Sequence, residues 1–89
     1  MGKVSLLYRI IPDVEKNREE LLSEINKKLE KIDGRIEDSK EKPLAFGLVE
    51  VELLITAPER EESVSDLVEN IFRSIDGISS FELERISRV

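Results

Sequence analysis

The side chains of this 89-residue chain that could take part in chemistry are mostly carboxylates. The sequence contains no histidine and no cysteine, which removes the usual general base and the nucleophile pairs built on either residue. The acidic segment 59–62 lacks the aspartate and glycine spacing of a calcium loop and is typical of a solvated loop. Nothing in the sequence brings the acids at 19–20 and 82–84 into one cleft. We therefore expect no catalytic residue, no metal site and no cofactor.

Overall charge and hydropathy limit the classes of partner. The chain has 20 acidic and 14 basic residues, a net charge of −6, which disfavours phosphate backbones as partners. No apolar run approaches the roughly 18 residues that a membrane span needs, and residues 1–4 turn polar too soon for a signal peptide. We expect a cytoplasmic protein that binds neither nucleic acid nor membrane. With 38% charged residues and no glutamine, its composition resembles that of thermophile proteins.

Apolar residues at helical spacing predict two helices. The first begins after Asp13 or, preferably, after Asn17, which has Glu20 at the reciprocal capping-box position. The second begins after Ser63, and an Asp-Gly pair ends each helix. The two apolar stripes are Leu21, Leu22, Ile25, Leu29 and Ile32, and Val64, Leu67, Val68, Ile71, Phe72 and Ile75.

Alternating apolar and polar residues predict four strands, at residues 4–11, 35–40, 44–56 and 78–89. The second strand is polar enough to lie at a sheet edge, and residues 41–43 are predicted as a turn or sharp bend. In the last strand Ile86 is out of phase with Phe81, which indicates a bulge near Glu84 and Arg85.

The predicted order βαββαβ is that of an α+β, ferredoxin-like sandwich, in which two helices cover one face of a four-stranded antiparallel sheet. We expect residues 1–89 to form this single domain. The fold does not specify a function, because RNA binders, metal chaperones, acylphosphatases and ligand sensors share it. A metal chaperone needs cysteine, an acylphosphatase needs a basic phosphate loop where residues 11–15 are acidic, and an RNA binder needs more sheet aromatics than Tyr8.

Protein binding is favoured by the start of the third predicted strand. There Leu44, Phe46 and Leu48 alternate with the apolar positions that continue to Val49 and Val51. If Val49 and Val51 contact the helices, the first three face away from them, and an exposed apolar cluster often marks an interface. The alternative is that a loop or the last strand covers the cluster.

Residues 42–48, Lys-Pro-Leu-Ala-Phe-Gly-Leu, resemble the Pro-Ile-Ala-Phe-Gly-Leu/Ile signature of the translation elongation factor 1-beta exchange domain. The likeness extends through both helices to the Gly77–Ile78 step and the C-terminus. Without the N-terminal extension of eukaryotic members, the chain is similar to the short archaeal form. The resemblance implies guanine-nucleotide exchange on the GTPase elongation factor 1-alpha, by a factor that makes and breaks no covalent bond. We expect the chain to be a monomer when free.

The resemblance also implies which residues contact the GTPase. Phe46 matches the signature phenylalanine that inserts into the partner, with Leu44 and Leu48 beside it. Arg88 matches a penultimate lysine that reaches toward the magnesium site, and Arg85 is a second candidate if the bulge shifts the register. Arginine is larger than lysine and planar, so a carboxylate of the GTPase is another possible target for it. The alternative for Arg88 is a frayed, solvated terminus.

Two other functions stay open from the sequence. One is a regulatory or small-ligand-binding domain that dimerises through its sheet face. The other is an RNA-binding domain of the same fold.

Overall fold

A computed structural model describes residues 2–88. Its main elements are β1 (Lys3–Pro12), α1 (Arg18–Leu29), β2 (Arg35–Pro43), β3 (Val49–Pro58), α2 (Val64–Arg73) and β4 (Ile78–Arg88). The sheet order is β2-β3-β1-β4, and each neighbouring pair is antiparallel. The predicted ferredoxin-like α+β fold is therefore confirmed. Within the described residues no helix is long and apolar enough to cross a membrane.

Side-chain caps begin both helices where the sequence predicts them. The Asn17 carboxamide oxygen accepts a hydrogen bond from the Glu20 backbone N–H at 3.0 Å, so Asn17 rather than Asp13 is the N-cap. Ser63 caps α2 in the same way. A single 3-10 turn, Glu30–Ile32, extends α1. It ends at Asp33, which adopts the left-handed conformation that aspartate tolerates better than most residues (φ 55°).

The core lies between the helices and one face of the sheet. Alternate residues of β1 and β3 are buried and meet the apolar stripes of both helices. The buried set is Val4, Leu6, Tyr8, Ile10, Leu21, Ile25, Leu29, Ile32, Val51, Leu53, Ile55, Ala57, Val64, Val68, Phe72 and Ile75. Burying each large side chain stabilises the fold by about 1.5–3 kcal/mol. β1 and β3 occupy the centre of the sheet, so most of the sheet's contribution to the core comes from them.

The third strand begins five residues later than predicted. It starts at Val49, and residues 44–48 form a loop that connects it to β2. Phe46 and Gly47 both have positive φ, 62° and 77°, a conformation that reverses the chain instead of extending it. The prediction of one strand over residues 44–56 is wrong, because the alternation of side chains that suggested it includes the residues of a turn.

The turn predicted at residues 41–43 is also wrong, because these residues complete β2. There Lys40 lies opposite Glu52 and Lys42 opposite Glu50. Cross-strand pairs of opposite charge favour strand pairing, which explains how such a polar segment joins the sheet. The predicted edge position of this strand is confirmed.

The predicted bulge in β4 is confirmed. Tyr8 pairs with Leu83 and Leu7 pairs with Arg85, so Glu84 is the extra residue. Since side chains alternate along a strand, the extra residue exchanges the faces of every residue after it.

The sheet face opposite the helices, here called the open face, carries a charged cluster. Arg9 lies within 3.6 Å of both Glu50 and Glu82, and its Nε lies 2.6 Å from Oε1 of Glu84. The last contact is an ion pair without the alignment of a hydrogen bond. Three carboxylates around one guanidinium make this part of the open face polar and unlike an apolar dimer surface.

Tyr8 joins the sheet to α2 through its ring and its hydroxyl. The ring packs edge-on against Phe72, with centroids 5.1 Å apart. The hydroxyl donates to a Glu69 carboxylate oxygen at 3.0 Å and lies 3.3 Å from the Ser65 carbonyl. Burial and the hydrogen bond to Glu69 raise the pKa of Tyr8 above its ordinary value.

We predict that Tyr8→Phe lowers the free energy of unfolding by about 0.5–1.5 kcal/mol near neutral pH, because the hydroxyl contacts are lost. The folded state holds the phenol proton more tightly than the unfolded state does. Stability of the parent protein therefore falls above about pH 10, where tyrosine ionises in the unfolded chain, and the variant lacks this loss. Urea unfolding of both proteins at rising pH should show the difference shrinking. A constant difference would contradict this assignment.

Candidate functional site

The signature residues form a tight loop at one end of the sheet, here called the tip loop (residues 44–48). The Leu44 N–H donates to the Leu48 carbonyl at 2.8 Å, and the Leu48 N–H donates to the Ala45 carbonyl at 3.3 Å. These hydrogen bonds close the loop. The expectation that Leu44, Phe46 and Leu48 share one strand face is wrong, since they lie in the loop.

Phe46 projects into solvent from the apex of the tip loop. Its relative exposure is 96%, so no other segment within residues 2–88 covers it. Its left-handed backbone costs about 1–2 kcal/mol for a residue other than glycine. Exposure and backbone strain both oppose the presence of phenylalanine at this position. Such residues concentrate at functional sites, which makes Phe46 the first candidate for contact with another molecule.

The two leucines at the ends of the tip loop differ from Phe46 in exposure. Leu44 and Leu48 are both half-buried, in contrast to the fully exposed ring. The structure thus brings the three predicted apolar site residues together at one end of the molecule, with Phe46 outermost.

Arg88 lies at the opposite end of the sheet. It pairs with Val4 in the β1–β4 register, and its Nε lies 3.0 Å from Oε1 of Glu59 in the β3–α2 loop. The Arg88 side chain is 83% exposed and therefore available to a partner. The contact with Glu59 was not predicted, because a loop glutamate gives no sequence signal of the strand end it will meet.

Arg85 and Arg88 lie on different faces of the sheet. Arg85 pairs with Leu7, whose side chain lies on the open face, whereas Arg88 pairs with Val4, which faces the helices. The bulge at Glu84 causes this arrangement. Without it, Arg85 would face the helices and Arg88 would not.

The tip loop and Arg88 are held far apart by the central strands. β3 begins next to the tip loop and ends at Pro58, which pairs with Lys3 at the Arg88 end. Ten strand residues span about 30 Å, and the molecule is 43 Å long. The structure therefore brings Leu44, Phe46 and Leu48 together but leaves Arg88 at the far end. Arg85, which pairs with Leu7 opposite Leu54, lies near the middle of the sheet.

The remaining aromatic residues serve the core. Tyr8 and Phe72 are buried, and Phe81 packs against Phe72 at 5.4 Å with Arg73 over its ring. None of the four aromatic residues forms a stacking platform on the open face, where an RNA-binding domain of this fold would use one. Among the described residues no group of three or more acids is arranged as a metal site.

The family profile and the individual relatives that match this chain all belong to one family. The family profile of the EF-1 guanine nucleotide exchange domain matches residues 5–89. Elongation factor 1-beta of Korarchaeum cryptofilum is 35% identical over 89 residues, covering 100% of this chain and 96% of the relative. That of Pyrobaculum arsenaticum is 36% identical over 89 residues, covering 99% and 96%. That of Ignicoccus hospitalis is 31% identical over 90 residues, covering 100% and 95%. The chain belongs to the EF-1 guanine nucleotide exchange domain family.

Membership of this exchange-domain family confirms the resemblance drawn from residues 42–48. The tip loop contains the signature motif of this family together with the fully exposed ring of Phe46. An exchange factor of this family changes the occupancy of a nucleotide site on another protein and is not an enzyme.

We predict that Phe46→Gly is more stable than Phe46→Ala by about 1 kcal/mol, because glycine adopts positive φ without the Cβ penalty. Both variants lack the ring, so comparing them isolates the backbone strain. Chemical denaturation of the two variants measures the difference. Equal stabilities would show that the left-handed conformation at this position stores no strain.

Proposed function

We propose that this chain is a guanine-nucleotide exchange factor that promotes GDP release from the translational GTPase elongation factor 1-alpha. The observation that carries the proposal is the exposed, strained Phe46 at the apex of the exchange-domain signature loop. We further propose that residues 1–89 act as one exchange domain, monomeric when free, in the cytoplasm where translation takes place. The charged cluster around Arg9 on the open face supports the monomer.

Nucleotide exchange requires the factor to discriminate between states of the GTPase. Coupling between two ligands of one protein is reciprocal, so a factor that weakens GDP binding is itself bound more weakly when GDP is present. The exchange domain must therefore hold nucleotide-free elongation factor 1-alpha more tightly than the GDP-bound form. It needs one contact that gives affinity and another that acts near the phosphate and Mg²⁺ site.

Phe46 is the residue proposed to give affinity. Its ring is already directed away from the domain, so enclosing it in a pocket of the GTPase requires no rearrangement of the tip loop. Burial of one aromatic ring contributes about 1.5–3 kcal/mol, which is typical of an interface anchor. Leu44 and Leu48 would extend the apolar contact around its base.

Arg88 is the residue proposed to act at the nucleotide site. An exposed cation that approaches this site would compete with Mg²⁺ or pair with one of its carboxylate ligands. To reach the GTPase it leaves Glu59, which costs little because exposed ion pairs contribute only about 0–1 kcal/mol. Arg85 lies on the open face near the middle of the sheet, so it is not assigned to either contact.

The separation of the two contacts constrains how the GTPase binds. A partner that encloses Phe46 and also contacts Arg88 must extend along the whole length of the sheet, about 30 Å. We therefore propose that the exchange domain bridges two separate surfaces of elongation factor 1-alpha.

Release of fluorescent GDP from elongation factor 1-alpha tests the activity. Catalytic amounts of the exchange domain should accelerate release in the presence of excess GTP. An unchanged off-rate would refute the proposed function.

In the same assay, Phe46→Ala should raise the concentration for half-maximal exchange by roughly ten- to hundredfold, because an anchor worth about 1.5–3 kcal/mol is lost. The maximal rate should change much less. Far-UV circular dichroism of the variant serves as the control for folding. A normal half-maximal concentration would remove Phe46 from the interface.

Arg88→Ala should lower the maximal exchange rate more than it changes the half-maximal concentration, because the cation acts after docking. Arg88→Lys keeps the charge and should restore most of the rate. Arg85→Ala, three residues away and on the open face, is the matched control and should leave the rate within about twofold, as for an exposed charge outside the contact. Equal losses for Arg85→Ala and Arg88→Ala would contradict the assigned role of Arg88.

A further inference from the structure

A second apolar surface lies at the same end of the molecule as Phe46. The β1–α1 loop exposes Val14 to 65%, and Leu48 of the tip loop lies across an open depression from it. This depression, here called the tip pocket, has a volume of about 550 Å³. It is lined by Asp13, Val14, Glu15, Lys16, Leu48, Asp76, Gly77 and Ser79. Val14 lies outside the core and presents its side chain to this depression.

The single lysine of the tip pocket is turned away from it. The Lys16 stem lies across Gly77, where an added Cβ would come within 2.7 Å of Cδ. Its ammonium group is directed toward Glu24 of α1, at 3.8 Å. The charge of Lys16 is thus balanced outside the pocket.

The rim of the tip pocket is left acidic. Asp13 accepts a hydrogen bond from the Ser79 hydroxyl, which fixes its carboxylate beside β4. Glu15 and Asp76 are exposed, and within residues 2–88 neither forms an ion pair. A depression with apolar side chains and three carboxylates at its rim is complementary to a long cationic side chain.

We propose that the tip pocket receives an arginine or lysine side chain of the GTPase while the ring of Phe46 is enclosed beside it. The inference rests on the proposed function, since the occupant comes from the same partner. Its aliphatic stem packs against Val14 and Leu48, and its cationic group pairs with the carboxylates of the rim. The depression is open to solvent and, at about 550 Å³, has room for one long side chain.

Continuity with the tip loop favours the GTPase as the occupant. Leu48 belongs to both surfaces, so a partner that closes around Phe46 reaches the pocket without further movement. Charge complementarity at this position would also speed association and make it salt-dependent.

The test is the GDP-release assay with the double variant Glu15→Gln, Asp76→Asn, at low and high salt. We expect the half-maximal concentration to rise about five- to twentyfold at low salt, as for two partly exposed ion pairs, with less dependence on salt than in the parent protein. The maximal rate should stay unchanged.

Val14→Ser should raise the half-maximal concentration about two- to fivefold at every salt concentration, since it removes apolar contact alone.

The matched control is Glu30→Gln, Asp33→Asn, which gives the same change of net charge at the far end of α1 and should shift the half-maximal concentration less than twofold. Asparagine tolerates the left-handed conformation at position 33. Thermal melts of all variants serve as the control for folding. If the pocket variant behaves like this control while Phe46→Ala is impaired, the tip pocket proposal is overturned and the proposed function stands. If the parent protein does not accelerate GDP release, both fall. A change in self-association with normal exchange would assign the pocket to a second copy of the chain and overturn the proposal.

Discussion

The antiparallel pairing of β1 with β3 is the constraint on which the rest of the structure depends. From Lys3 opposite Pro58 to Ile10 opposite Val51, the register is continuous and has no bulge. It places the apolar alternation of both strands against the helices and forms the centre of the core. It also fixes the direction of β3, and therefore puts the tip loop and Arg88 at opposite ends of a stiff sheet. A domain of this size has one modest core, so few residues can be given to function.

The candidate site residues lie where the core makes little demand. The central strands contribute buried side chains at alternate positions, whereas the tip loop, the β1–α1 loop and the end of β4 contribute exposed ones. Phe46 illustrates the cost, since an exposed ring in a left-handed conformation lowers stability in the free protein. The bulge at Glu84 affects which face of the sheet carries Arg88. It places Arg88 on the helix side, whereas the charged cluster around Arg9 lies on the open face.

Much of the fold could be predicted from the sequence because its signals are local and periodic. Helix caps at Asn17 and Ser63, and the phase break before Ile86, each correspond to an observed feature. The boundary between β2 and β3 could not be predicted, because the alternation of residues 44–48 fits a strand as well as a loop. Gly47 was a signal of the turn, but the positive φ of Phe46 depends on the closed loop. Contacts such as that of Arg88 with Glu59 join distant segments and leave no trace in composition or spacing.

Hydrogen exchange of the domain, free and bound to nucleotide-free elongation factor 1-alpha, tests most directly whether one partner contacts both ends. We predict slower exchange at the amides of the tip loop and at those around Arg88, with little change in the buried centre of β3. Protection at one end alone, or protection centred on the open face around Arg9, would contradict a domain that bridges two surfaces of its GTPase.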